Sequence, residues 1–254
     1  MSDESIVRAS ELIKQSIRMV ALTGAGISTP SGIPDFRSQK SGLWEHANPM
    51  EVASIQGFRY RPELFYEWIR PLMATMLAAK PNPAHLALAQ LETKGILQSI
   101  ITQNVDLLHS EAGSKVVYEV HGHIREATCI QCFEHYPARP VIEKLLESET
   151  LVVPLCPACG GVLKPNVVLF NEQLPARVLS KANQFVVNAD VMLVVGSSLE
   201  IYPAADMPYQ VKKRGGKVII INFSKTEFDP MADIVIHGNA AEVLPRIVEL
   251  LEGS

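Results

Sequence analysis

The apolar positions of this chain follow two alternating patterns. Short stretches that are apolar at nearly every position recur at Met19-Val20-Ala21-Leu22, Ile96-Leu97-Gln98-Ser99-Ile100-Ile101-Thr102, Val116-Val117-Tyr118-Glu119-Val120, Val167-Val168-Leu169-Phe170, Val191-Met192-Leu193-Val194-Val195, Val218-Ile219-Ile220-Ile221 and Ile234-Val235-Ile236. Runs this short, bounded by turn residues, predict strands buried on both faces. Between them the period becomes helical. Ile6, Ala9, Ile13 and Ile17, with Leu12 beside them, predict a first helix capped by Ser2 or Asp3. Ala84, Leu88 and Leu91 predict a helix over 83–94 that Gly95 stops. Further helices are expected over 175–188, 204–214 and 240–251. Strands alternating with helices in this way specify an α/β fold, a doubly wound parallel sheet (Rossmann-like) covered on both sides.

Two stretches break the pattern. Residues 38–83 hold Trp44, Phe58, Tyr60, Phe65, Tyr66 and Trp68, and prolines 49, 62, 71, 81 and 83 divide them into short helices. This reads as a helical insertion whose aromatics form a satellite core. Residues 129–161 hold all four cysteines. The expected division is therefore a Rossmann-like domain of residues 1–37, 84–125 and 166–254, with the insertion 38–83 and the cysteine module 126–165 forming a smaller domain.

Composition narrows the function. With 254 residues, 47% of them hydrophobic, the chain can bury a sizeable core. A net charge of −4 with scattered basic residues gives no footprint for direct nucleic-acid binding. Lys212-Lys213-Arg214, the one dense basic run, reads as a solvated helix end. No stretch is long and apolar enough for a membrane helix, so no membrane partner is expected. The start, Met1-Ser2-Asp3-Glu4, is acidic and unlike a signal peptide. A cytoplasmic setting is the expectation.

The cysteines come as two pairs, Cys129-Ile-Gln-Cys132 and Cys156-Pro-Ala-Cys159, separated by residues 133–155. Each C-x-x-C can form a knuckle, and two knuckles close a tetrahedral Zn²⁺ site. Four sulfur ligands leave no open position, so the zinc would be structural. A dithiol redox pair or buried free thiols are the alternatives.

The candidate chemistry sits where the strands end. The first strand runs into Thr23-Gly24-Ala25-Gly26-Ile27-Ser28-Thr29, a turn suited to bringing backbone close to a pyrophosphate. It is a partial dinucleotide fingerprint, because Thr29 stands where a third glycine is usual. Asp35-Phe36-Arg37 follow in a loop. Other strands end in Gln103-Asn104-Val105-Asp106, in His121, in Gly196-Ser197-Ser198 and in Asn222-Phe223. Ligands of parallel sheets bind outside the carboxyl ends of the strands, so five clusters there point to one site. His121 is the natural general base. Asn104 and Asp106, two apart, can face one ligand; turn chemistry is their alternative. Ser197 and Ser198 could equally cap a helix. His85, His109 and His123 read as surface or packing residues.

Taken in order, Gly24-Ala25-Gly26-Ile27-Ser28, Gly32-Ile33-Pro34-Asp35-Phe36-Arg37, Thr102-Gln103-Asn104-Val105-Asp106, His121-Gly122, the paired cysteines, Gly196-Ser197-Ser198 and Asn222 resemble the sirtuins, from about residue 5 to residue 250. The resemblance implies an NAD-dependent protein-lysine deacetylase that gives nicotinamide, O-acetyl-ADP-ribose and free lysine. It implies NAD contacts from Gly24, Ala25, Gly26, Ser28, Thr29, Asp35, Phe36, Arg37, Gln103, Asn104, Val105, Asp106, His121, Gly196, Ser197, Ser198, Asn222 and Phe223. His121 and Asn104 would be catalytic, and Cys129, Cys132, Cys156 and Cys159 would hold zinc. The partner would be an acyl-lysine protein or peptide, added as a strand along Val168, Phe170, Asn171 and Glu172 on one side and Leu199 and Ile201 on the other. Asn171 stands where the family has glycine, and Asn tolerates the left-handed backbone better than other side chains. Sirtuins that remove acidic acyl groups share a Tyr-x-x-Arg pair in the insertion. Here Tyr66 is followed three places on by Ile69, with Arg70 one step late, so neutral acyl groups are expected. Protein mono-ADP-ribosyl transfer from the same NAD site, or a non-catalytic NAD-binding module, are the other readings.

Overall fold

Met19–Thr23 is apolar throughout because it is a central strand, covered on both faces. In the computed structural model, which describes residues 3–36, 42–45 and 47–253, it is the first of nine strands. These are β1 (Met19–Thr23), β2 (Leu97–Thr102), β3 (Val117–Glu119), β4 (Gly122–Cys129), β5 (His135–Pro137), β6 (Leu163–Val167), β7 (Val191–Val195), β8 (Lys217–Asn222) and β9 (Ile234–His237). Six of them form a parallel sheet in the order β3-β2-β1-β7-β8-β9. Successive side chains point to opposite faces. Ala21, Ile100, Leu193 and Ile219 therefore pack under the helices Asp3–Gln15, Pro83–Thr93 and Ala240–Glu252. Val20, Leu22, Ile101, Met192 and Ile220 pack on the other face, against the helices Ala176–Val186 and Met207–Lys213.

The connections from β1 run outward in both directions, to β2 on one side and β7 on the other. The strand order reverses there, and the carboxyl ends of β1 and β7 flank the crevice this creates. Register keeps those ends level: Thr23 lies opposite Thr102 and Val195, and Thr102 opposite Glu119.

A second, antiparallel sheet of order β5-β4-β6 follows directly from β3. It shares a core with the helices Pro62–Ala78 and Ala138–Glu147. Phe58, Phe65 and Tyr66 pack edge-on or tilted in that core, whereas Tyr60 is exposed.

Several elements differ from expectation. The strand expected at 167–170 is β6, which lies earlier and ends at Val167. Beyond it Val168–Phe170 leave the sheet to face a cavity, with only an isolated bridge between Ser54 and Phe170. Pro71 does not end its helix, which spans 17 residues, Pro62–Ala78. Burial of Ile69, Leu72 and Met73 on both sides of the proline outweighs the lost hydrogen bond. Ile17 is exposed, because the first helix stops at Gln15 and the chain turns there, its amide donating to Asp190 Oδ2. No helix among the described residues is long and apolar enough to cross a membrane.

Candidate active site

The glycines after β1 and β7 bring two turns into backbone contact at the point where the strand order reverses. Gly24 N–H donates to Val195 O (3.0 Å), Gly26 N–H to Gly196 O (2.8 Å), and Gly196 N–H to Ile221 O (3.0 Å). A Cβ on Gly24 would lie 2.8 Å from Gly196 O. Gly196 has φ 62°, and a Cβ there would lie 2.5 Å from the Gly26 carbonyl carbon. Both turns need glycine because each occupies the space a side chain on the other would take.

These turns, with those after β2, β3 and β8, border one cavity of about 1240 Å³ along the carboxyl edge of the sheet. Its wall carries Gly24, Ala25, Gly26, Ser28 and Thr29 from the first turn, then Asp35 and Phe36. Gln103 to Asp106, His121, Gly196 to Ser198, Asn222 and Phe223 complete the edge. Val168, Phe170, Asn171, Glu172 and Ile201 lie on the same wall. Leu199 packs instead against the core behind the sheet, and Arg37 lies outside the described residues.

At one end of the cavity the polar groups form a single buried network. Ser28 Oγ–H donates to Asp106 Oδ2 (2.6 Å), and Asn104 Nδ2 donates to Ser28 Oγ (3.1 Å) and to Gly24 O (3.1 Å). Leu108 N–H donates to Asp106 Oδ1 (3.0 Å). Burial raises the Asp106 carboxyl above its ordinary range, and the hydrogen bonds from Ser28 and Leu108 oppose that shift.

Sequence reasoning missed two members of this network. His85 is fully buried: its Nδ1 accepts from Asn82 N–H (3.3 Å), so Nε2 carries the proton and donates to Ser28 Oγ (3.4 Å). His109 Nε2 meets Thr23 Oγ1 (2.9 Å), which donates to Thr102 Oγ1 (2.8 Å). The two imidazoles pack edge to face at 4.9 Å. Burial lowers His85 to about 4 and His109 well below its usual value, so both are neutral at pH 7. A signal was available: His85 is third in a helix capped by Asn82, where a capping side chain turns back toward the preceding loop.

His121 sits at the joint between the two sheets. Gly122 follows with φ 80°, and a Cβ there would collide with Asn166 O, so β4 can cross β6 only with glycine at this step. The carbonyl of His121 accepts from Val168 N–H (2.8 Å), which fixes the Val168–Glu172 loop beside it.

The loop after the glycine turn reaches over the cavity through aromatic rings. Phe36 stacks on Trp44 (5.3 Å), Trp44 stacks on Trp68 (5.1 Å) and meets Phe170 edge-on (5.8 Å). Ile69 also lines the cavity, but Arg70 turns away to donate to the carbonyls of Leu146 and Ser148 at a helix end. Tyr66 is buried behind this wall, its hydroxyl donating to Leu163 O.

The four cysteine sulfurs all lie within 4.8 Å of one another. Cys129 and Cys159 Sγ are 3.5 Å apart, and Cys132 and Cys156 Sγ 3.6 Å. A tetrahedral Zn²⁺ with bonds of about 2.3 Å sets its ligands about 3.8 Å apart, so the residues fit that ion. Amides of Gln131, Cys132 and Gly161 point at knuckle sulfurs (3.4–3.5 Å), as suits thiolates. A cluster of four is not the arrangement of a lone dithiol pair.

The cavity likewise fits a dinucleotide. Two glycine turns on its wall leave no side chain in the way, and a buried carboxyl beside them is placed to accept from an amide.

A model of the Sir2 family matches residues 24–203. The chain is 47% identical to an NAD-dependent protein deacylase of Archaeoglobus fulgidus, over 98% of this chain and 96% of the relative. A solved Sir2 enzyme superposes with a TM-score of 0.92 at 45% identity, covering 99% of both chains. A Sir2 complex with deacetylated p53 peptide and 3′-O-acetyl ADP-ribose superposes with a TM-score of 0.90 at 42% identity, covering 95% of this chain and 96% of that one.

Proposed function

Because the chain belongs to the Sir2 family, we propose that this cavity removes neutral acyl groups from lysine side chains of proteins, with NAD as co-substrate and zinc as a structural ion. The observation that carries the reading is the convergence of Ser28, Asn104, Asp106 and His121 on one cavity at the reversal of strand order. NAD supplies an ADP-ribosyl group that accepts the acyl group, with nicotinamide as the leaving group.

The chain's own residues divide the remaining work. Ala25, Gly26 and Ser28 lie where backbone can hold a pyrophosphate, and Ser197, Ser198 and Asn222 lie toward the adenosine half. Asp106, whose carboxyl oxygens already accept from Ser28 Oγ–H and the Leu108 amide, is placed to accept from a carboxamide N–H. The neutral imidazole of His85 keeps the Ser28 hydroxyl proton directed at Asp106, since Ser28 Oγ already accepts from His85 and Asn104. Asn104, anchored on Gly24 O, orients the ribose side. His121 takes the proton of a ribose hydroxyl as base. Ile69 on the wall, with Arg70 spent on a helix end, leaves an acidic acyl group without a cation, which supports acetyl and other neutral acyl groups. The acyl-lysine chain lies along Val168–Glu172. Main-chain pairing there falls to positions other than Leu169 and Phe170, whose N–H and C=O are engaged with Glu172, Ala53 and Ile55. A cytoplasmic setting accords with thiols kept reduced for a metal.

The test is His121→Ala with an acetyl-lysine peptide and NAD, products read by mass. Turnover should fall by about 10²- to 10⁴-fold while the melting curve stays in place. Normal turnover removes His121 as base; ADP-ribosylated protein in place of O-acetyl-ADP-ribose from the unsubstituted enzyme moves the reading to ADP-ribosyl transfer.

A further inference from the structure

An ion pair that no step above uses, its lysine buried and its glutamate half-buried, ties the Val168–Glu172 loop on the cavity wall to β6. Lys164 is 8% exposed, yet it carries an ammonium into the base of this loop. Its Nζ lies 3.0 Å from Glu172 Oε2 and donates to Val167 O (2.7 Å) and Pro165 O (3.2 Å). The same Glu172 oxygen accepts from Leu169 N–H (2.9 Å), while Glu172 N–H donates to Leu169 O (3.0 Å). One carboxylate oxygen thus joins the end of β6, the start of the turn and the far side of the turn.

We propose that the Lys164–Glu172 pair is the positioning element of the acyl-peptide site, setting the shape of the loop against which the substrate main chain lies. This rests on the deacylase reading above. An ion pair that buries its lysine is a poor device for stability, because desolvation of that ammonium consumes much of the Coulomb gain; what it supplies is one geometry. The loop requires such a constraint. Asn171 holds φ 63°, a left-handed conformation in which a side chain costs energy that glycine avoids. The turn therefore needs bonds from outside its own backbone to remain in that state. The other anchors, Val168 N–H on His121 O and Phe170 paired with Ala53 and Ile55, fix its first half only. Lys164 and Glu172 fix the second, where Asn171 faces the cavity. Burial lowers the Lys164 pKa and Glu172 raises it again, in keeping with a charge held by its partner.

The experiment compares wild type, Lys164→Met, Lys164→Arg and Glu172→Gln. Steady-state kinetics with NAD and an acetyl-lysine peptide are paired with fluorescence anisotropy of a labelled copy of that peptide. Lys164→Met should raise peptide KM and Kd about ten- to a hundredfold, with kcat at saturating peptide and KM for NAD within about twofold of wild type. Lys164→Arg, which keeps the charge, should recover most of the loss. Glu172→Gln keeps an acceptor for Leu169 N–H but loses the charge; it should shift peptide binding in the same direction and serves if Lys164→Met does not fold. An unchanged peptide Kd in either folded variant, an equal rise in KM for NAD, or no recovery with arginine overturns the proposal. A wild type that binds the peptide without turning it over defeats the deacylase reading instead, and the anisotropy series still decides the role of the pair.

Discussion

The six-stranded and three-stranded sheets reach order by different means. The larger sheet is a sandwich: β1 and β7 are buried at every position, with an apolar layer on each face. The smaller sheet has one core, shared with the helical insertion, and the segments between its strands leave Phe133, Val152 and Leu155 in solvent. Two of its cysteines, Cys129 and Cys156, are part of that core, and the other two are exposed. Where burial on two faces fixes the chain, the turns are free to become a ligand site made largely of backbone. Where burial covers only one face, a metal must close the fold, and its ligands serve structure. The catalytic candidate His121 lies on the seam, its carbonyl holding the loop that follows β6.

The largest expected effect tests that contrast directly. Stripping zinc with a strong chelator, or Cys129→Ser, removes an ion whose apparent binding energy in small structural sites is about 10–16 kcal/mol. Hydrogen exchange should accelerate across β4 to β6 while the amides of β7 and β8 remain protected. Equal loss of protection in both sheets would show that they unfold as one unit, and the contrast would be broken.

The second effect is a matched pair of glycine substitutions. Gly196 and Gly160 both have positive φ, 62° and 76°. Gly196 faces the backbone of the opposing turn, whereas nothing lies within 4 Å of the Cβ position on Gly160 in the zinc knuckle. Gly160→Ala should cost only the conformational strain, about 1–2 kcal/mol. Gly196→Ala adds a backbone collision and should cost about 3–4 kcal/mol and weaken NAD binding as well. Denaturant midpoints measure both. Equal costs would mean that the two turns at the strand-order reversal can move apart, contrary to their backbone contact.

How much of this could be read from the sequence follows the same division. The strands β1, β7 and β8 were legible because burial on both faces leaves uniform apolar runs, and the ends of β1, β2, β3 and β7 located the clusters at Gly24, Asn104, His121 and Gly196. Cys129, Cys132, Cys156 and Cys159 were legible because metal knuckles have fixed spacing. The smaller sheet was not. Along β4 the burial pattern has no period of two, since Arg125 and Glu126 are both exposed, so no alternation marks the strand. The 167–170 run was apolar because it lines a cavity rather than a sheet core. His85 and His109 stayed hidden because a buried histidine in a helix looks the same in sequence whether it fills space or holds a serine. Pro71 misled because packing on both sides of a proline is a tertiary fact.

The smallest effect probes how tightly the smaller sheet is tied to the insertion. Tyr66 reaches from the helix Pro62–Ala78 to the carbonyl of Leu163 in β6, and its burial pushes the phenol pKa upward. It does not line the cavity, whose wall on that helix carries Phe65, Trp68, Ile69, Leu72, Met73 and Met76. Tyr66→Phe removes one buried hydrogen bond and keeps the ring among Phe58 and Phe65. The cost should be about 1 kcal/mol, a fall of about 2–4 °C in melting temperature for a chain of this size. Turnover of acetyl-lysine should stay unchanged. Succinyl-lysine should remain a poor substrate for both proteins, because the cavity wall carries Ile69 in each and Arg70 is turned away from it. A wild-type preference for succinyl-lysine, abolished by Tyr66→Phe, would place that hydroxyl in the acyl pocket and make the insertion part of the site rather than a brace behind it.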